Sequence, residues 1–124
     1  MNDQEIFEAI GEIGFERLVA AFYRRVPHDD VLSRLYPKDD LPGAEQRLRD
    51  FLIFRFGGPP RYIEKRGHPR LRMRHAPFAV DRAARDHWLQ AMEAAMEESM
   101  LPEEVKPVLA AYFESTAAAM MNTE

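Results

Sequence analysis

No cysteine occurs anywhere in the 124 residues. This excludes structural disulfides, cysteine-ligated zinc, iron–sulfur clusters and a thiol nucleophile, and it fits a reducing compartment. Long hydrophobic runs are missing as well. The longest, Phe51-Leu-Ile-Phe54, is far too short to cross a bilayer. The N-terminal MNDQEIFEAI carries neither a basic region nor a long apolar stretch, so no signal peptide or membrane span is expected and the default location is the cytoplasm. The chain has no G-x-G-x-x-G, Walker loop, G-x-S-x-G or H-E-x-x-H. None of His28, His68, His75 and His87 forms an i, i+4 pair, so a helical two-histidine metal site has no support. Strand alternation, internal repeats and low-complexity tracts are also absent.

What remains is an ordinary globular composition, 46% hydrophobic and 31% charged, with a length that suits one domain spanning 1–124. A barrel of eight strands and eight helices needs roughly twice that length. The net charge of −4 hides an uneven distribution. Residues 61–74 hold six basic side chains (Arg61, Lys65, Arg66, Arg70, Arg72, Arg74) and one acid, Glu64. That segment is set up to meet an anion, or simply to be solvated.

Nearly every periodic stretch follows helical spacing. Asn2 or Asp3 caps a short first helix carrying Ile6, Phe7 and Ile10, which Gly11 and Gly14 interrupt. A second helix presents Phe15, Leu18, Val19, Phe22, Tyr23 and Val26 on one face and stops at Pro27. Asp29 and Asp30 suit the start of a short helix ending at Tyr36-Pro37, followed by a polar loop. A fourth helix starts near Pro42, with Ala44, Leu48, Phe51 and Leu52 inward, and Gly57-Gly58-Pro59-Pro60 ends it. Residues 57–68 read as a long connection, and Pro69 as the first turn of a short helix that Pro77 bounds. Asp81 caps a helix to about Met100, and Pro102-Glu103-Glu104 starts the last one, which runs to Met120. The expected class is all-α, with helices packed pairwise around one core.

Three groups of residues carry possible chemistry. His75 sits at the end of the short proline-bounded helix. One neutral imidazole is enough to ligate a haem iron, provided its other ring nitrogen donates to a carbonyl such as that near Leu71. Taken alone, His75 reads more readily as a helix-end histidine. Tyr23, Tyr36 and Trp88 are aromatic residues with polar tips that need partners when buried. In a haem pocket they would donate to a ligand carrying partial negative charge; in a plain core they would reach a carbonyl or water. The basic stretch 61–74 offers carboxylate binding for a cofactor, or phosphate binding with Tyr62 stacking on bases, the mode of a haem-free helical nucleic-acid-binding module.

Read together, these residues resemble a known family. The run Gly57-Gly-Pro-Pro-Arg-Tyr-Ile-Glu-Lys-Arg-Gly-His-Pro-Arg-Leu-Arg-Met-Arg-His75-Ala-Pro-Phe78, then Arg85-Asp-His-Trp88-Leu-Gln-Ala-Met92, is similar to the group II truncated haemoglobins. Ala21-Phe-Tyr23 and Leu35-Tyr36-Pro-Lys-Asp-Asp-Leu41 follow the same pattern, so the resemblance covers nearly the whole chain. It implies a shortened globin, a two-over-two helical sandwich around haem b. It implies His75 as the proximal iron ligand and Tyr23, Tyr36 and Trp88 as distal donors. Ala44 and Leu48 would line the ligand side, Phe51 and Phe78 would pack on the porphyrin, and Arg47, Arg74 and Tyr62 would face the propionates. Two departures stand out. The family often has a double glycine where this chain has Ile10-Gly11, and a tryptophan where it has Phe56.

The resemblance further implies ligands such as dioxygen, nitric oxide, carbon monoxide or peroxide, and possible homodimers. Two donors, each worth roughly 0.5–1.5 kcal/mol net, would slow ligand release by about tenfold to a hundredfold. Slow release suits scavenging or redox chemistry, such as nitric oxide dioxygenation or peroxide reduction, better than oxygen transport. Either reaction needs an external reductase, since the chain carries no flavin or nicotinamide motif.

Overall fold

The computed structural model describes residues 1–124 and contains helices and turns without a strand. Helix α1 spans Asp3–Arg25, α2 Leu41–Arg55, α3 Arg61–Arg66, α4 Leu71–His75, α5 Arg82–Glu98 and α6 Lys106–Met120. Short 3₁₀ turns at Val26–His28 and Leu32–Arg34 carry the chain from α1 towards α2. No helix is long and apolar enough to cross a membrane.

The helix starts follow local chemistry. Asn2 and Glu5 form a capping box on α1, each side chain accepting from the other's backbone N–H. Asp40 caps α2 by accepting from Gly43, and Asp81 caps α5 by accepting from Ala84. Helix α1 is two helical pieces joined through Gly11, whose φ of 63° and ψ of −175° break the spiral while the helix resumes beyond it. That backbone region is essentially reserved for glycine. A methyl group at Gly11 would meet nothing within 4 Å. Gly11→Ala is therefore a backbone test alone. It should destabilise the fold by about 1–3 kcal/mol in urea denaturation, and an unchanged midpoint would refute the strain.

Amphipathic spacing sets the packing. α1 lies against both α2 and α5, and α5 lies against α6. The buried face of α1 holds Phe15, Leu18, Val19, Phe22 and Tyr23; that of α5 holds Ala84, Met92, Ala95 and Met96. α6 contributes Leu109 and Phe113. Apart from Ala84, one cluster unites them, with Phe15 stacked near Phe56 and Phe22 near Trp88.

Four expected boundaries change. The connection after α2 is not open loop, because Arg61–Arg66 winds into α3. Only Gly57-Gly58-Pro59-Pro60 remains as the break, with Gly57 at φ 91°. Gly58 lies so close to Phe7 and Ile53 that any side chain would collide. Pro69 falls outside α4, since Arg70 intervenes in a left-handed conformation at φ 42°. Pro102–Val105 forms a turn, and Pro107, not Pro102, occupies the first turn of α6. The segment expected as a helix after Asp29 is only a 3₁₀ turn.

Candidate haem site

A cavity of about 500 Å³ opens between α1, α2, α3, α4, α5 and α6. Every candidate residue read from the sequence lines it: Tyr23, Tyr36, Ala44, Arg47, Leu48, Phe51, Tyr62, Arg74, His75, Phe78 and Trp88. These residues lie up to 65 positions apart, from Tyr23 to Trp88, and the fold brings them onto one surface.

His75 is the last residue of α4. Its Nδ1 lies 2.7 Å from the Leu71 carbonyl, one helical turn back. A carbonyl only accepts, so Nδ1 holds the proton and donates. Nε2 then keeps its lone pair, the form in which imidazole binds a metal. No group of three His, Asp or Glu side chains comes together for a metal ion. A lone imidazole completes a coordination sphere where a prosthetic group supplies the remaining donors. The largely apolar lining, with arginines at its edge, suits a flat hydrophobic macrocycle with acidic substituents. The residues present therefore fit haem.

A second group of polar atoms faces the same space. Trp88 Nε1 donates to the Tyr36 hydroxyl at 3.1 Å. The rings of Tyr23 and Tyr36 meet edge to face at 5.5 Å, and Phe22 packs against Tyr23, Tyr36 and Trp88. Burial pushes the Tyr36 hydroxyl up to about 12, with donation from Trp88 and Tyr23 pulling it back. Burial also raises Tyr23 far above the ordinary phenol value, and the neighbouring Tyr36 raises it further. Both phenols therefore keep their protons across the physiological range and serve as donors. The Tyr36 oxygen accepts from the indole, which leaves its own O–H free to point into the cavity.

The cationic edge differs from the expectation in detail. Arg74 lines the cavity, yet its Nε donates to Pro69 O at 2.6 Å and its Nη2 to Arg66 O and His68 O at 2.8 and 3.2 Å. It is a strut for the α3–α4 loop first, with one Nη left for an anion. Arg47 sits 3.5 Å from Asp40 in a half-exposed pair. Arg66, not singled out as a binding residue, also lines the cavity; its guanidinium lies 6.0 Å from the Tyr62 ring and that of Arg74 lies 5.8 Å away. Arg85, Tyr112 and Thr116 line the cavity as well; Arg85 opens the run that resembles the family, while Tyr112 and Thr116 carried no sequence signal beyond helical spacing.

The basic segment is partly spent internally. Arg61 pairs with Glu12, and Lys65 approaches the buried Asp50 at 3.5 Å. Tyr62 is buried, 5.5 Å edge to face from Phe51, and presents no ring for base stacking. This geometry does not favour the nucleic-acid reading.

The sequence profile of the bacterial-like globins matches residues 5–122. The chain belongs to that family. Within it, the relatives are group II truncated haemoglobins. The globin is 40% identical over 116 residues to the group 2 truncated hemoglobin YjbI of Bacillus subtilis, covering 94% of this chain and 87% of the relative. It superposes on the crystal structure of the haemoglobin of Chloroflexus aurantiacus with a TM-score of 0.91 at 49% identity, covering 95% of this chain and 98% of the other. A truncated oxygen-avid haemoglobin from Bacillus subtilis gives 0.89 at 39% identity, covering 94% and 98%. Membership makes this a haem globin that binds oxygen.

One support of the Trp88 region lies outside the cavity. Asp29 accepts from the N–H groups of Val31 and Leu32 and sits 3.0 Å from His87 Nδ1, beside Trp88 in sequence. Burial pushes the Asp29 carboxyl up, but the Leu32, His87 and Val31 donors outweigh it and hold the group below the ordinary value. A lowered folded pKa contributes stability above the unfolded value near 4, lost as pH falls through the folded value. Asp29→Ala should cost about 1–2 kcal/mol at pH 7, and the deficit should shrink in denaturation curves taken below pH 4. A deficit equal at both pH values would refute the charge argument.

Proposed function

We propose that this globin holds haem b through His75 Nε2 and binds dioxygen and other diatomic ligands beside Tyr36, Tyr23 and Trp88, with slow release. The same site would support redox chemistry, nitric oxide dioxygenation or peroxide reduction, with electrons from an external reductase. The observation that carries this reading is the Trp88–Tyr36 hydrogen bond, which polarises a free tyrosine O–H in the cavity that His75 also lines. The relative described as oxygen-avid supports slow release.

Haem supplies reversible ligand binding and one-electron chemistry at its iron. The protein residues do the rest. His75 offers a neutral nitrogen whose basicity its Leu71 partner raises. Tyr36 would donate to a ligand carrying partial negative charge, and Tyr23 and Trp88 would hold the Tyr36 hydroxyl in place. Ala44, small and buried, leaves room, while Leu48 and Phe51 keep the space apolar. Arg47, Arg66 and the remaining Nη of Arg74 line the cavity and would supply cations to the carboxylates of the cofactor.

The test is spectroscopic and then kinetic. Haem-replete protein should show a Soret band that shifts on reduction and again on addition of carbon monoxide. A colourless folded protein would end the proposal. Stopped-flow mixing of the oxygen-saturated ferrous globin with nitric oxide should yield nitrate faster than oxygen leaves by itself. Replacement of oxygen by nitric oxide at the oxygen off-rate, without nitrate, would remove the dioxygenation arm and leave peroxide reduction.

A further inference from the structure

Asn122 follows the end of α6 and is exposed, yet its side-chain amide and its backbone N–H are all engaged by one distant segment. Its Nδ2 donates to the carbonyls of His75 and Phe78 at 3.3 and 2.9 Å. Its Oδ1 accepts from the Val80 N–H at 2.9 Å, and its own N–H donates to Val80 O at 3.0 Å. Four bonds from one exposed side chain and its backbone are far more than a chain end ordinarily makes.

The segment it holds is the one least able to hold itself. Helix α4 is five residues long, well below the length at which a helix is stable alone. It begins at a left-handed Arg70 with no side-chain cap. Towards its start, Arg74 ties the loop carbonyls of Arg66, His68 and Pro69. Within it, the imidazole is tied to Leu71 O. At its end, the His75 carbonyl receives only the Phe78 N–H, at 2.9 Å, and Asn122. That carbonyl belongs to the peptide plane next to the His75 Cα, so the bonds to it fix the backbone from which the imidazole departs.

From this geometry we infer that Asn122 is a positioning residue for the haem-binding histidine: by donating to the His75 and Phe78 carbonyls it sets the angle at which Nε2 enters the cavity. The inference rests on His75 being the iron ligand. Its consequence is that the residues just after α6 would tune the iron–histidine bond, as outer partners of metal ligands do elsewhere.

The experiment compares the parent globin with Asn122→Ala, Asn122→Asp and His75→Ala, all loaded with haem. Asn122→Asp keeps an oxygen to accept from Val80 but cannot donate to either carbonyl. The readouts are the iron–histidine stretching band of the ferrous protein by resonance Raman and the rate of haem transfer to an excess of apomyoglobin. Both Asn122 variants should shift or broaden the band and transfer haem roughly fivefold faster, the factor one net hydrogen bond carries. A parent-like band in both variants, even alongside a lower melting temperature, would reduce Asn122 to a tail fastener and overturn the inference. A parent-like Asn122→Asp with a shifted Asn122→Ala would do the same, because only the Val80 bond would then matter. If instead the band persists in His75→Ala, the ligand is not His75 and the underlying reading fails. That outcome is distinct from a band that depends on His75 but ignores position 122.

Discussion

His75→Ala is expected to lose haem. The variant should bind it at least roughly a hundredfold more weakly, because substitution one shell beyond a metal ligand already costs about 10–100-fold in affinity. Two further results should accompany the loss. Haem stabilises the folded state by RT ln(1 + [L]/Kd), so a hundredfold weaker site forfeits about 2.7 kcal/mol in saturating haem. The melting temperatures of parent and variant should therefore differ with haem and converge without it. His75→Gly should recover a parent-like ferrous spectrum in the presence of free imidazole, since the cavity lining and the Leu71 carbonyl that orients the ring survive the truncation. A His75→Ala protein with an unaltered ferrous spectrum would move the ligand elsewhere. His28, His68 and His87 are poor substitutes, as none lines the cavity and His87 is engaged by Asp29.

Much of this site was legible because its residues lie on helical stripes. Tyr23 shares a face with Phe15, Val19 and Phe22, and all four are buried. Trp88 follows the spacing of Ala84, Met92 and Ala95. The caps at Asn2 and Asp81 are local events, visible within three residues. What the sequence hid is what depends on long-range geometry. Helix α3 forms because Tyr62 packs on Phe51 and because Arg61 and Lys65 find Glu12 and Asp50, partners up to 49 residues away. No periodicity in a six-residue stretch announces that. The true start of α6 at Lys106 was obscured because two prolines, 102 and 107, each suit a first helical turn.

The charge pattern misled in a related way. Six basic side chains in residues 61–74 look alike in the sequence, yet the structure divides their work. Arg61 and Lys65 are ion-paired to other helices, Arg74 holds three loop carbonyls, and Arg66 reaches the cavity. Arg70 supplies the strained turn before α4, and Arg72 lies beside the exposed Met73. Only a part of the cluster is available to an anion. That part is defined by which guanidinium groups the fold leaves free.

Trp88→Phe should speed oxygen release, and the way it combines with Tyr36→Phe decides how the distal residues act. Phenylalanine keeps an aromatic ring against Phe22 and Phe113, so packing is largely preserved. What disappears is the indole N–H that donates 3.1 Å to the Tyr36 oxygen. If Trp88 works through Tyr36, its loss weakens the Tyr36 O–H as a donor and frees it to rotate. One net hydrogen bond, about 0.5–1.5 kcal/mol, corresponds to a rise in the off-rate of roughly twofold to tenfold. Tyr36→Phe removes the donor itself and should have the larger effect, at the upper end of that range or above it. In the double variant the Trp88 substitution then has little left to remove. Its off-rate should stay close to that of Tyr36→Phe, well short of the product of the two single effects. Multiplicative effects would mean that the indole reaches the ligand independently and that the hydrogen bond to Tyr36 is broken when the ligand binds. An unchanged rate in Trp88→Phe alone would remove the indole from the network altogether. The physical asymmetry favours the coupled outcome. Tyr36 accepts from the indole through its oxygen, and a neighbour that polarises that oxygen strengthens the O–H it presents to the cavity.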